Sequence, residues 1–112
     1  MQHDSRAYLH DVISAAESIQ EFITGRSYDE YVADLLIRSA IERQFEIVGE
    51  ALARIARHDP DLAGKIPNLR DIVDFRNVLA HGYDVVDNEI VWDIIKNYLP
   101  GLVRNCQDIL VK

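Results

Sequence analysis

The stretch Ile41–Ile55, "IERQFEIVGEALARI", carries an apolar face that is wider than a single helix–helix contact requires. Together with the residues just before it, this stretch carries a main apolar stripe of Ile37, Ile41, Phe45, Val48, Leu52 and Ile55, with Leu36, Ala40, Ile47 and Ala51 beside it. Intervals of three and four residues are typical of an amphipathic α-helix. The width of the face predicts a helix that is buried on two sides, by neighbours in the same chain or by a second subunit.

Helical spacing also organises the sequence before this stretch. A first helix is expected over about 4–24, and Gly25 should end it. Ser27 and Glu30 have the spacing of a capping box, in which the serine caps the helix and the glutamate lies three residues later. They should begin a long second helix that contains Ile41–Ile55 and reaches about Arg57.

The second half of the chain predicts two more helices and a short turn. A helical turn is expected around Leu62, then a third helix over about 69–81. The last helix should be capped by Asp87 or Asn88 and bent near Tyr98 by the following Pro100. Strand patterns are nearly absent, so the sequence predicts an all-α fold with one domain over residues 1–112, a four-helix up-and-down bundle.

Composition limits the classes of function that remain. A chain of 112 residues is long enough for one hydrophobic core, and its formal net charge of −7 argues against nucleic-acid binding by a broad basic face. No apolar run approaches the ~20 residues needed to cross a bilayer. The polar N-terminus lacks the apolar centre of a signal peptide, and Cys106, the one cysteine, continues an apolar helix face. A cytoplasmic protein with a local site is expected, without a membrane partner.

Candidate chemistry is concentrated in residues 74–84, "DFRNVLAHGYD". Asn77 and His81 are four apart and share a helix face, whereas Arg76 lies roughly 140° around the axis from His81. Arg76 offers a permanent positive charge for a phosphate, and a histidine at a helix C-terminus is suited to general acid–base catalysis. This pair fits RNA cleavage by the neighbouring 2′-hydroxyl, but the same residues also fit an ordinary helix end with a solvated arginine.

Three charged residues of the second helix, Arg43, Glu46 and Glu50, share one face. They fit two interpretations: side chains that line a cleft and pair with Arg76, or a solvated row of ion pairs. The other histidines lack the spacing of metal ligands, so no metal site and no cofactor are expected. Tyr83 should have an exposed hydroxyl because it follows the helix stop at Gly82, although its ring could also simply cover the helix end.

The sequence resembles the HepT-like ribonuclease toxins of the HEPN superfamily. The segment "RNVLAHGY" (76–83) matches their Arg-x4-His-x-Tyr motif, including a polar residue directly after the arginine. The segments "YLHDVISAAESI" (8–19), "IERQFEIVGEALARI" (41–55) and "IVWDIIKNYLPGL" (90–102) are similar to the family's other helices. One departure is Asn68, where many relatives have a tryptophan before the third helix.

The resemblance implies a HEPN-like bundle that forms a homodimer with a shared cleft. It also implies the toxin of a type VII toxin–antitoxin system, a metal-independent endoribonuclease that uses Arg76 and His81, with Asn77 orienting the histidine or the phosphate. The implied partners are RNA and a minimal nucleotidyltransferase antitoxin (MntA-like), which would silence the toxin by transferring AMP to Tyr83. The alternative is a non-catalytic HEPN module that binds the nucleotidyltransferase; the complete Arg-x4-His pair favours the enzyme.

Overall fold

The computed structural model describes residues 5–80 and 87–111, and all the regular secondary structure in these two ranges is helical. The helices are α1 (Ser5–Ile23), α2 (Tyr28–Ala33), α3 (Leu35–His58), α4 (Pro60–Ala63), α5 (Leu69–Ala80), α6 (Asn88–Asn97) and α7 (Leu99–Leu110). The pairs α2–α3 and α6–α7 each form one arm of the bundle, and α4 is the short turn expected around Leu62. The predicted all-α, four-helix bundle is confirmed. No helix in these ranges has both the length and the apolar character required to span a bilayer.

Helix α3 is the central element, because it packs against α1 on one side and α5 on the other. The residues that it buries are Ile41, Phe45, Val48, Gly49, Ala51, Leu52 and Ile55. This set contains the predicted stripe from Ile41 to Ile55, so the predicted burial on two sides is confirmed within one chain over that stretch. The predicted apolar face was wrong at the start of the helix, where Leu36 is 79% exposed and Ile37 is only partly buried.

A break at Asp34 separates α2 from α3, so the prediction of one continuous second helix was wrong. The Asp34 backbone is extended (φ −107°, ψ 95°), and its carboxylate accepts a hydrogen bond from the Ile37 N–H at 3.1 Å. Aspartate is a strong helix N-cap because its side chain satisfies an N–H that has no partner within the helix. Asp34 therefore ends one helix and begins the next, while the predicted capping box of Ser27 and Glu30 starts α2.

The short helix α2 connects the early part of the chain to α6 through aromatic rings. Tyr31 is fully buried, and its ring centroid lies 5.4 Å from that of Trp92 on α6. Tyr28 makes an edge-on contact with the same tryptophan at 5.8 Å. Burial is the main reason that the pKa of Tyr31 is raised to about 12. This aromatic cluster holds α6 against α2, at the start of the α2–α3 arm.

The α6–α7 arm bends at Tyr98, as the sequence predicts. Helix α6 is capped by the Asp87 carboxylate and ends at Tyr98, and α7 begins at Leu99. Pro100 lies in the first turn of α7, where its missing N–H removes no hydrogen bond from the helix. Cys106 is buried on α7, and burial raises the pKa of its thiol to about 11, in keeping with the expected packing role.

The connection between α3 and α5 determines where α5, the helix that carries Arg76, begins. Asn68, directly before α5, has a positive φ of 64°. Asparagine tolerates this left-handed conformation better than large side chains do. Its carbonyl then accepts the Ile72 N–H at 3.2 Å, which begins the first turn of α5.

Candidate active site

Helices α3 and α5 approach each other closely at Gly49 and Arg76. A Cβ atom built on Gly49 would overlap Cβ and Cγ of Arg76 and would lie 3.3 Å from its Cδ. One turn away, the rings of Phe45 and Phe75 meet edge to face, with 5.1 Å between their centroids. The apolar contact and the bare glycine backbone together fix the position of Arg76 along α3.

The guanidinium of Arg76 is held by two side chains. Its Nη2 donates a hydrogen bond to Oε2 of Glu50 on α3, and its Nη1 donates to Oδ1 of Asn77 at 2.8 Å. The Arg76 side chain is 28% exposed, so the group is sheltered but still reaches solvent. Because two of the five guanidinium N–H groups are used in these bonds, the plane of the guanidinium is defined before any ligand binds.

Glu50 uses its second carboxylate oxygen to hold another arginine. Oε1 of Glu50 accepts a hydrogen bond from Nε of Arg54 at 2.8 Å. Arg54 also lies beside Tyr8 of α1, and hydrogen bonding to Tyr8 and to Glu50 raises the pKa of the Arg54 guanidinium. The resulting polar network joins three helices, with Tyr8 on α1, Arg54 and Glu50 on α3, and Arg76 on α5.

The other two candidates on α3 form a separate ion pair. Arg43 donates to Glu46 at 3.2 Å, and the Arg43 side chain is 69% exposed. An exposed pair of this kind contributes about 0–1 kcal/mol to stability. The two interpretations of this face therefore apply to different residues: Glu50 pairs with Arg76, whereas Arg43 and Glu46 form a local solvated pair.

The remaining motif residues lie outside the described ranges. These are His81, the expected acid and base, and Tyr83, the expected AMP acceptor, together with Gly82 between them. The pairing of Arg76 with His81, and its completion by a second chain, remain predictions. Asn77, which was expected to orient the histidine or the phosphate, contacts the Arg76 guanidinium.

Sequence reasoning did not identify Gly49, Arg54 and Tyr8 as parts of the site. The four-residue spacing from Glu50 to Arg54 was visible and is a favourable order for an ion pair on a helix. A glycine in the middle of an apolar helix was also a visible signal of close packing. Tyr8 carried no such signal, because its contact with Arg54 depends on how α1 is rotated against α3.

We expect Gly49→Ala to destabilise the protein by about 1–3 kcal/mol, since the new methyl group overlaps the stem of Arg76 and forces α5 away from α3. The melting temperature should fall by about 5 °C or more, as measured by circular dichroism. Gly101→Ala on α7 is the matched control, because its new Cβ would meet nothing closer than 3.8 Å. Equal melting temperatures for the two variants would contradict the proposed close approach.

Comparison with known proteins identifies the family. Residues 12–109 match the sequence profile of a family described as "Ribonuclease HepT-like". The chain belongs to the HepT-like ribonuclease family. The match spans the helices that build the bundle and includes the stretch from Arg76 to Tyr83, so the expected HEPN relationship is confirmed.

Individual relatives of this HepT-like chain cover nearly its whole length. "Putative RNase MJ1380" of Methanocaldococcus jannaschii is 32% identical over 95% of this chain and 96% of its own. "Probable ribonuclease HepT" of Thermococcus cleftensis is 31% identical over 91% of this chain and 92% of its own. "Putative RNase TTE0752" of Caldanaerobacter subterraneus is 30% identical over 96% and 95%. No solved structure matches the chain.

Proposed function

We propose that this HepT-like protein is a metal-independent endoribonuclease that cleaves RNA through attack by the adjacent 2′-hydroxyl. The observation that carries the proposal is the oriented, partly buried guanidinium of Arg76, five residues before His81. Membership of a family described as ribonuclease, and relatives named as RNases, support the same reaction class.

The proposed reaction divides the work between two side chains. Arg76 keeps its charge at any physiological pH and is positioned to bind the scissile phosphate and stabilise the negative charge of the phosphorane. His81 removes the proton from the 2′-hydroxyl and then protonates the departing 5′-oxygen. The bond from the 2′-oxygen to phosphorus forms as the bond to the 5′-oxygen breaks, which leaves a 2′,3′-cyclic phosphate.

We place the active form in a homodimer in which two motifs share one cleft. Val78, next to Asn77 on α5, is an apolar side chain that is 45% exposed in the single chain. Burying such a side chain against a second copy is favourable. A dimer would also explain how an acidic chain handles RNA, since two copies of Arg76 would add positive charge in one place while the remaining surface stays acidic.

The proposed biological setting is a cytoplasmic type VII toxin–antitoxin pair. A minimal nucleotidyltransferase would transfer AMP to Tyr83 and silence the enzyme, because the added negative charge and bulk beside Arg76 compete with an RNA phosphate. Incubation with such a transferase and ATP should add one AMP mass to the intact protein, located on Tyr83 by peptide mass spectrometry. An unchanged mass, or AMP on another residue only, would refute this part of the proposal.

The ribonuclease proposal is tested with the purified protein and a defined RNA. We expect cleavage that is unchanged by EDTA and products that end in a 2′,3′-cyclic phosphate, identified by mass spectrometry. An oligonucleotide with a single 2′-deoxy residue at the cleavage site should remain intact there, because the attacking hydroxyl is missing. Loss of cleavage in EDTA, or cleavage at the 2′-deoxy position, would exclude the proposed mechanism.

A further inference from the structure

Glu50 places one carboxylate between two guanidinium groups. Its Oε1 accepts from Nε of Arg54 at 2.8 Å, and its Oε2 accepts from Nη2 of Arg76. The two arginines come from different helices, α3 and α5, yet the single carboxylate of Glu50 bonds to both of them. The structure thus contains a site for an anion with two acceptor oxygens, and the protein's own side chain occupies it.

An RNA phosphodiester has the chemistry of the group that now fills this site. Like a carboxylate, it carries one negative charge shared by two oxygens on one atom, and arginine binds both groups through paired N–H donors. The Arg54 and Glu50 side chains are 45% and 38% exposed, so a polymer in solution reaches the site without unfolding of the bundle.

One of the two bonds that hold Glu50 is weak. Glu50 and Arg54 lie four residues apart on one exposed helix face, and such a pair contributes little to stability. Arg54 also lies beside Tyr8 of α1, a neighbour that does not depend on Glu50. Arg76 keeps its hydrogen bond to Asn77 and Arg54 keeps Tyr8 beside it when Glu50 turns away, so both cations stay close to their positions.

We propose that Arg54 is a second phosphate-binding residue and that Glu50 occupies the phosphate position between Arg54 and Arg76 until RNA displaces it. This inference rests on the proposed ribonuclease function and adds a subsite to it. Arg54 binds the RNA backbone and takes no part in bond breaking. Glu50 screens the two arginines from single small anions, while an RNA strand, which makes several phosphate contacts at once, displaces it.

The role of Arg54 is tested by RNA binding in a His81→Ala background, which prevents cleavage during the measurement. Fluorescence anisotropy with a labelled single-stranded RNA should show about tenfold weaker binding for Arg54→Gln, the expected cost of one charge-assisted hydrogen bond. The slope of log K against log salt should fall by about 0.7, the value for one phosphate contact on a single strand. Arg104→Gln, an exposed change on α7, should match the parent.

The role of Glu50 is tested by Glu50→Gln, which keeps the shape of the side chain and removes its charge. We expect RNA binding to become about three- to fivefold tighter because the competing anion is gone. The gain should disappear when Arg54→Gln is added, since the subsite is then incomplete. Glu17→Gln, an exposed change on α1, controls for the general loss of one negative charge.

The outcomes separate this inference from the function on which it rests. If the parent cleaves RNA but Arg54→Gln binds like Arg104→Gln, or Glu50→Gln weakens binding, the subsite is refuted and the ribonuclease remains. If the parent neither binds nor cleaves RNA, both proposals fail. Displacement of the labelled RNA by AMP at low concentrations would overturn the proposed preference for a strand over a small anion.

Discussion

An Arg76→Lys protein should fold like the parent and cleave RNA about 10²- to 10³-fold more slowly, the range observed when one donor to a transition-state oxyanion is lost. Lysine keeps the charge and most of the aliphatic stem that lies on Gly49. It lacks the planar arrangement of N–H groups that lets Arg76 bond Glu50 and Asn77 and still face a phosphate. The measurement is kcat on a saturating defined RNA, with the melting temperature as a check on folding.

A matched change on the same helix keeps this result interpretable. Arg70→Lys, at an exposed position near the start of α5, should leave the cleavage rate at the parent value. If both lysine variants keep full activity, a positive charge at position 76 is sufficient and the oriented guanidinium is unnecessary. If both lose activity equally, the loss reflects α5 as a whole rather than the site.

Phe45→Ala should destabilise the bundle by about 3–5 kcal/mol, which is a large share of the stability of a domain this size. Phe45 is fully buried in α3, and its ring packs edge to face on Phe75 of α5. Removing it leaves a cavity at the junction that positions Arg76. Urea denaturation followed by circular dichroism gives the free energy of unfolding directly.

The pairing of the two rings adds a sharper measurement. In a double-mutant cycle with Phe75→Ala, we expect a coupling of about 0.5–1.5 kcal/mol, the usual value for an aromatic pair. A loss below about 1 kcal/mol for Phe45→Ala would be inconsistent with a closed core at this position.

Local sequence signals account for most of the fold. The apolar stripe of α3 predicted its central position because burial on two sides needs an apolar surface on two sides. The roles of Ser27 and Pro100 were also predictable from local sequence, because Ser27 caps a helix with its side chain and Pro100 lacks an N–H. The role of Asp34 was not, because its neighbours are compatible with a helix on either side. The break is stabilised by the Asp34 cap on α3 and by the burial of Tyr31 against Trp92, a contact far away in sequence that local patterns do not reveal.

The site was predictable to a smaller extent. The motif identified Arg76 and Asn77, and helix spacing brought Glu50 into consideration without deciding its partner. That decision depends on how α5 is placed against α3, where the stem of Arg76 lies on Gly49; a glycine signals close packing but does not say which residue approaches it. The proximity of Arg54 to Tyr8 likewise depends on the packing of two helices, so pattern alone did not reveal it.

The aromatic contact between Tyr31 and Trp92 has a consequence for the order of events on the ribosome. The described side chains of the polar network all belong to α1, α3 and α5, which leave the ribosome before α6 and α7 do. A domain generally folds as a unit, and its chain is synthesised from the N-terminus. The contact of Tyr31 with Trp92 forms only after Trp92 has been made, and α1 gains its contact with α7 only after α7 has been made. Arg54, Glu50 and Arg76 are therefore all synthesised before the helices that close the core around them.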